Sequence, residues 1–354
     1  MNDFLLYGAY GYTGRLITRM AADHGLRPTL SGRNKAKLSA MADEFGFPYV
    51  AVSLEDEDAL RELVSQFKVV LHAAGPFIRT AGAMHQACLA TGVHYLDITG
   101  EIAAFAAAQS LDATAKAKGV MLMPGVGFDV VPTDCMAAYL KQLLPSADHL
   151  TLAFAWKGGG VSHGTAMTML EGLGEPGAIR KGGRITPVKP AYKVRSFPFV
   201  AGKERTAVTI PWGDVFTAYH TTGIPDIETY FSTPSSQITF MKASRYLGPL
   251  LRLPTVKNYL RSKVAARPAG PTDEQRTNGE AYIYGEVSNT HGEIARARLR
   301  TPEGYTLTAI TALIIIRKVL DGDVKAGYQT PAGLYGPELI LEVPGVTREV
   351  IKTA

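Results

Sequence analysis

The stretch FLLYGAYGYTGRL, residues 4–16, runs from an apolar segment into three glycines spaced three apart, Gly8, Gly11 and Gly14, and then into a helical pattern. Glycine is the residue that loses most freedom on ordering, so three of them within seven positions need a reason. Gly8 permits a tight turn at the end of a strand. Gly11 lets backbone approach a diphosphate closely, and Gly14 lets the next helix pack against the sheet. The helix start then offers N–H groups and a partial positive charge to an anion. Ala9, Tyr12 and Thr13 complete that turn. The spacing is G-x-x-G-x-x-G, not G-x-G-x-x-G, and taken alone it also fits an ordinary strand-to-helix turn. Its surroundings decide between the two.

Those surroundings alternate. Apolar runs at Asp3–Tyr7, Thr29–Ser31, Tyr49–Val52, Val69–Ala73, Tyr95–Asp97 and Val120–Met123 are separated by helical patterns at 13–23, 35–44, 57–66, 81–90 and 103–118. Six strands apolar on both faces, each leading to a helix, predict a doubly wound parallel sheet of the Rossmann type over residues 1–145. The chain has 354 residues, too many for one ordinary domain. Apolar residues make up 46% and charged residues 19%, which excludes a disordered chain. Two cysteines, Cys88 and Cys135, exclude a disulfide scaffold and fit a reducing, cytoplasmic setting. The start reads as a strand, not a signal segment, and the apolar stretch Ala309–Ile316, broken only by Thr311, is too short to cross a bilayer, so a soluble protein is expected.

NAD sites place an acid after the second strand to bind the ribose hydroxyls. Here the stretch is TLSGRN, residues 29–34, and Arg33 stands where the acid would. A guanidinium suits a 2′-phosphate, with Ser31 and Asn34 as added donors, so NADP(H) is the expected cofactor. The fourth strand ends in HAAGPF, where Ala73, Ala74, Gly75 and Pro76 keep the backbone slim beneath a cofactor. The two alanines also suit plain helix–sheet packing. The fifth ends in YLDITGE, which places Asp97, Thr99 and Gly100 at the same ligand-binding edge.

Beyond residue 145 the pattern changes. A strand is expected at 149–156, a helix at 162–173, loops and short pieces over 174–205, strands at Thr206–Ile210, Val215–Thr222 and Ile227–Phe231, and helical pieces near 235–246 and 254–265. A loop at 266–278, a hairpin of 280–288 with 293–300, and a buried helix at 305–320 follow. Residues 146–325 thus read as an α+β domain with a mostly antiparallel sheet.

Five motifs in order, GAYGYTGRL, SGRN, AAGPF, YLDITGE and PGVGFDVVPTD, resemble the saccharopine dehydrogenase-like oxidoreductases, above all the bacterial branch of trans-acting enoyl reductases. The closing GYQTPAGLYGPELIL, residues 327–341, is similar to that branch as well. The resemblance implies an N-terminal NADP-binding domain, a C-terminal domain for substrate or dimer contacts, and a last segment, 326–354, that packs back on the first domain.

Hydride chemistry belongs to the cofactor; the protein orients the substrate, excludes water and supplies a proton. Asp129, in PGVGFDVVPTD, is a candidate for substrate orientation or proton relay, and a helix cap is its plainer reading. His163 follows the glycine-rich turn at 158–160 and is a candidate proton donor, or a hydrogen-bonded histidine at a domain junction. Glu101 and Tyr12 are weaker candidates, and His72, His85 and His94 read as scaffold. The pair Tyr259 and Lys263 has the Tyr-x-x-x-Lys spacing of short-chain dehydrogenases but lies outside the Rossmann pattern, so it reads as a solvated helix face. No metal-ligand spacing occurs.

Net charge is +5, and residues 229–272 contain seven Lys and Arg with no acid. A solvated basic surface is the simplest reading; docking of an acyl carrier protein, a coenzyme A thioester or a membrane surface through 242–263 is the sharper one. Arg296, Arg298 and Arg300 alternate on one strand and either extend an anion-binding surface or face water. Nucleic acid is not expected, since no recognition motif is present. The reading that results is an NADPH-dependent reductase of a C=C (enoyl) bond in an acyl or lipid-like small-molecule substrate. Reduction of C=N, and a non-catalytic nucleotide-binding scaffold at a lipid surface, are the alternatives; a homodimer is compatible with each.

Overall fold

A computed structural model describes residues 3–158 and 160–351. The chain forms two compact units: Met1–Val131 with Tyr305–Leu334, and Pro132–Gly304 with Tyr335–Ala354.

The first unit opens with β1 (Phe4–Tyr7), α1 (Tyr12–Ala21), β2 (Pro28–Gly32), α2 (Lys35–Phe45), β3 (Tyr49–Ala51) and α3 (Glu57–Val64). It continues with β4 (Val69–His72), α4 (Phe77–Thr91), β5 (His94–Asp97), α5 (Ile102–Ser110), α6 (Asp112–Ala117) and β6 (Met121–Met123). The strands lie in the order β6-β5-β4-β1-β2-β3 and pair in parallel. The six strands lie where the apolar runs predict them. Every residue of β1, β2, β4 and β6 is buried, as helices on both faces require. Each Leu or Val sealed in this way contributes about 1.5–3 kcal/mol. The order in which strands are added reverses between β1 and β4, and ligands of such sheets bind at the carboxyl ends of strands at that point.

The second unit contains α7 (Val131–Leu143), β7 (His149–Lys157), α8 (His163–Glu171), β8 (Gly177–Lys181), β9 (Arg184–Val188), β10 (Val194–Val200), β11 (Lys203–Thr209) and α9 (Asp214–Thr222). Next come β12 (Asp226–Ser232), α10 (Ser235–Leu251), α11 (Pro254–Ala265), α12 (Asp273–Thr277), β13 (Glu280–Ser288) and β14 (Ile294–Pro302). The nine-stranded sheet runs β10-β11-β12-β7-β13-β14, closed at its edge by a late strand at Thr347–Val350, with β8 and β9 branching from β12. Only β7 and β12 pair in parallel, so the sheet is mixed and mostly antiparallel.

Several expectations for this half are corrected. Residues 174–205 are not loops: β8 and β9 form a hairpin across Gly182-Gly183, whose φ values of +55° and +76° suit a two-residue turn of type I′. Residues 215–222 are helical, not a strand, since Gly223 at φ +70° stops a helix whose residues 214–218 are buried. The loop at 266–278 holds the short helix α12, started by a capping box of Thr272 and Gln275.

The chain then returns to the first unit. α13 (Gly304–Leu320) is buried from Leu307 to Leu313 without a gap, and β15 (Gly327–Tyr328) extends the parallel sheet beside β6. Thr311 donates from Oγ1 to the Val126 carbonyl at 2.8 Å, and Thr308 Oγ1 accepts from the Phe128 N–H at 2.9 Å. In place of a second domain running to 325, residues 305–334 therefore belong with the first unit. Of the expected returning segment, the part after Leu334 goes to the second unit, where β16 (Thr347–Val350) pairs with β14. Helix-sized apolar runs pack wherever an uncovered sheet face meets them, and sequence position does not say which face that is.

Two histidines lie in the first unit's core. His72 stacks on Tyr7 with centroids 5.5 Å apart, and His85 meets Tyr95 edge-on at 4.3 Å. Burial pushes their imidazoles down to about 3 and about 4, so both are neutral in the fold. Unfolded, they titrate near pH ~6.5. Below that value the unfolded chain binds more protons, and their contribution to stability falls as pH drops from about 6.5 toward 4. In urea unfolding at a series of pH values, His85→Leu should gain on the wild type as the pH falls through that window. A difference constant with pH would refute the assignment.

Candidate functional site

At the switch point between β1 and β4 there is no room for a methyl group. Gly8 has φ +88°, and a Cβ on it would lie 2.8 Å from the Ala73 carbonyl carbon and the Ala74 nitrogen. A Cβ on Gly14 would lie 2.4 Å from the Gly8 carbonyl oxygen and 2.7 Å from that of Ala9. On Gly11 the nearest atom would be 3.2 Å away, a milder contact. The Ala73 N–H donates to the Tyr7 carbonyl at 2.7 Å, which fixes the approach of the two strand ends. Gly8, Ala9, Gly14, Ala73 and Ala74 are thus brought together. Gly11 is the N-cap of α1 and has no side chain to satisfy the first N–H groups, so an anion can do so. Tyr12 and Thr13 open the helix, with the Tyr12 ring edge-on to Tyr305 at 5.0 Å. The Gly75–Pro76 bond is cis and leads into α4.

The end of β2 carries no acid. Arg33 is exposed, and among the described residues no hydrogen bond or ion pair holds it. Two expected donors are otherwise engaged. Ser31 is buried and its hydroxyl donates to the Val50 carbonyl at 2.9 Å; Asn34 caps α2, its Oδ1 accepting from the Lys37 N–H at 3.0 Å. Sequence reasoning missed two neighbours. The Tyr10 ring lies so close to Gly32 that a Cβ there would be 2.7 Å from it, and Lys37 Nζ sits 5.7 Å from the centre of that ring. The available signal was a second cation, Lys37, in the first turn of the helix that follows Arg33. A cradle that a methyl would fill, next to an acid-free strand end with an unengaged guanidinium, fits a dinucleotide with a 2′-phosphate.

Three carboxyls gather at the ends of β5 and β6. Asp97 is fully buried and accepts from the Tyr95 hydroxyl at 2.7 Å and from the N–H groups of Thr99 and Gly125 at 2.9 Å each. Burial pushes its carboxyl up to about 6. Thr99 is buried too, and its hydroxyl accepts from the Glu101 N–H at 3.0 Å. These bonds tie β5 to the turn after β6, so Asp97 and Thr99 hold the site together where a cofactor contact was expected. Glu101 accepts from the Phe77 and Ile78 N–H groups at 2.9 and 2.8 Å, and so caps α4. Asp129 caps nothing among the described residues. It lies over Gly100, where a Cβ would come within 2.6 Å of Oδ2, and burial together with the Glu101 charge pushes its carboxyl up to about 7. Gly100 is therefore the floor beneath Asp129. An acid that is half protonated near neutrality is suited to giving or taking a proton.

His163 lies in the second unit, behind the N-cap Ser162. Its Nε2 is 2.6 Å from the Arg267 carbonyl and donates to it, the bland alternative of a hydrogen-bonded histidine. Gly159, within the glycine turn before it, lies outside the described residues. The basic segment is largely engaged: Arg245 donates to the carbonyls of Pro190 and Ala191, Arg252 to Gly174, Lys257 to Glu171, and Arg261 to the Glu171 carboxylate. Arg296, Arg298 and Arg300 pair with Glu286, Glu349 and Glu280, so they form a strand-to-strand ladder and not an open anion surface. His94 accepts from the Met121 N–H at 3.1 Å, a scaffold role. Among the described residues no helix is long and apolar enough to cross a membrane.

Residues 4–123 match the family described as Saccharopine dehydrogenase NADP binding domain. The chain is 30% identical over 150 residues to a trans-acting enoyl reductase of Mycobacterium ulcerans (strain Agy99), covering 40% of this chain and 35% of that one. It is 27% identical over 240 residues to a lipid droplet localized protein of Caenorhabditis elegans and 25% over 238 to a saccharopine dehydrogenase-like oxidoreductase of Mus musculus, with 59% of this chain and 56% of each relative covered. It thus spans between 35% and 56% of these relatives, which come from animals as well as bacteria. The fold is shared with a solved apo histidine-tagged saccharopine dehydrogenase (L-Glu forming) from Saccharomyces cerevisiae, at TM-score 0.67 and 13% identity over 99% of this chain and 100% of that one. Residues 4–123 are thus similar to the NADP-binding domain of saccharopine dehydrogenase, and NADP(H) is the dinucleotide that such a domain takes.

Proposed function

We propose that this protein is an NADPH-dependent reductase of an activated C=C bond in an acyl substrate. The observation that carries the reading is Asp129, an acid poised near neutrality at the same sheet edge as the glycine cradle. In this reading Gly8, Gly11 and Gly14 admit the pyrophosphate, α1 faces it with its N-terminus, and Arg33, flanked by Lys37 and Tyr10, takes the 2′-phosphate. Bound NADPH supplies a hydride to the β-carbon. Negative charge then builds toward the α-carbon and the carbonyl oxygen, and Asp129 gives its proton to the α-carbon and regains one from water. The similarity to a trans-acting enoyl reductase supports the C=C choice over C=N.

A second reading places the protein on a lipid surface. Tyr246 is 86% exposed, Tyr259 61% and Phe240 56%, on α10 and α11 beside the exposed Lys242 and Lys263. Aromatic rings among cations suit an anionic membrane or an acyl carrier protein, and a relative is a lipid droplet localized protein. Co-sedimentation with anionic vesicles, lost in a Tyr246→Ser, Tyr259→Ser, Phe240→Ser variant, tests it.

Three outcomes are expected for the reductase. By calorimetry, Gly14→Ala should weaken NADPH binding by at least about tenfold, since its methyl has no space. Arg33→Ala should weaken NADPH by roughly 10–100-fold and leave NADH nearly unchanged, the loss of a charge-assisted contact. With graded α,β-unsaturated acyl thioesters, and cyclic imines in parallel, Asp129→Asn should lower kcat by roughly 10²–10⁴-fold with NADPH affinity retained. Full activity in that variant sinks the proposed role. The same variant carries a stability signature. A carboxyl raised to about 7 destabilises the fold increasingly as pH rises from about 4 through 7. Asp129→Asn should thus match the wild type in acid and exceed it by a few kcal/mol above neutrality, read by denaturant midpoints.

A further inference from the structure

Two neighbouring carboxyls cannot both ionise freely, so the placement of the proton at the edge of β5 and β6 is decided by their surroundings. Glu101 receives two backbone N–H groups from the first turn of α4, at 2.9 and 2.8 Å. It also stands at a helix N-terminus, where negative charge is favoured. Asp129 has neither benefit: no hydrogen bond reaches it among the described residues, and it is pressed against Gly100 at less than a methyl's clearance. Asp97, the third carboxyl nearby, is satisfied by three donors of its own. Glu101 is the charged group that bears on Asp129.

We propose that Glu101 is a positioning residue for the acid: fixed by two N–H groups of the first turn of α4, next in the chain to the Gly100 on which Asp129 rests, its carboxylate favours the proton-bearing form of Asp129. This rests on the reading of Asp129 as proton donor. It adds that α4, which begins directly after the Ala73–Pro76 turn under the cofactor, is coupled electrostatically to the proton-donating group. No atom of Glu101 need touch substrate. When Asp129 gives up its proton, the site holds two anions, and the repulsion between them drives reprotonation from water. The proton lost to substrate and the proton regained balance, and Glu101 takes no part in the transfer.

Carboxyl NMR on protein isotopically labelled in Asp and Glu side chains tests this without any turnover, with Asp129→Asn used to identify the resonance. The Asp129 midpoint should lie near neutrality in the wild type and fall by about one pH unit or more in Glu101→Gln. An unchanged midpoint in a folded Glu101→Gln variant overturns the proposal. Should that variant fail to fold for want of the α4 cap, the wild-type Asp129 midpoint at rising ionic strength decides: screening of a neighbouring carboxylate lowers it, and a midpoint independent of salt overturns the proposal. Where acyl thioesters are turned over, the alkaline limb of kcat should move to lower pH by the same amount in Glu101→Gln, a change that loss of a merely structural cap does not produce. Absence of turnover with every thioester and imine would sink the reductase reading, while the carboxyl titrations would still decide for or against the Glu101–Asp129 coupling.

Discussion

The ends of β1 and β4 meet so closely that a single added carbon on Gly8 would stand 2.8 Å from the backbone after β4, and one on Gly14 would stand 2.4 Å from the turn that leads out of β1. That approach follows from a parallel pairing of buried strands, in which Tyr7 and Ala73 share a backbone hydrogen bond across the junction. It opens a bare helix start toward the crevice. It also obliges the residues after β4 to stay small. Had the turn carried ordinary side chains, α1 would stand away from the sheet, and its N–H groups would meet water and not a diphosphate.

The chemistry at the next strand ends follows from how differently three carboxyls are treated within a few residues. Asp97 has three donors and serves as a buckle between β5 and the turn after β6. Glu101 accepts two N–H groups from the first turn of α4. Asp129 is left with burial and a like charge. The same functional group thus provides a tie, a fixed field and an ionisable acid, and only hydrogen-bond supply distinguishes them.

The second unit handles charge in the opposite manner. Its arginines on β14 each face a glutamate on a neighbouring strand, and Glu286 is reached by Arg195, Arg296 and the Tyr284 hydroxyl together. Similarly, Arg245 of α10, Arg252 just after it and Lys257 of α11 hold backbone carbonyls. A stretch free of acid therefore owes part of its basic composition to structure: its cations donate to carbonyls of neighbouring segments.

Local pattern was enough for the parallel sheet, the glycine turn and the acid-free end of β2. Each of these depends on residues near one another in the chain: apolar runs of strand length, glycines at fixed offsets, one guanidinium after one strand. The hairpin at Gly182-Gly183 was legible in principle, since paired glycines between short runs suit that turn. Residues 215–222 were not, because β-branched and aromatic residues in a short buried helix carry the same pattern as a strand. Tertiary structure alone decided that α13 and β15 rejoin the first sheet, that Asp97 and Thr99 turn inward, and that Asp129 rests on Gly100 beside Glu101. Those outcomes depend on which groups meet across long separations in the chain, and a carboxyl's role depends on the donors and charges it meets. Sequence names the carboxyl; packing supplies its donors.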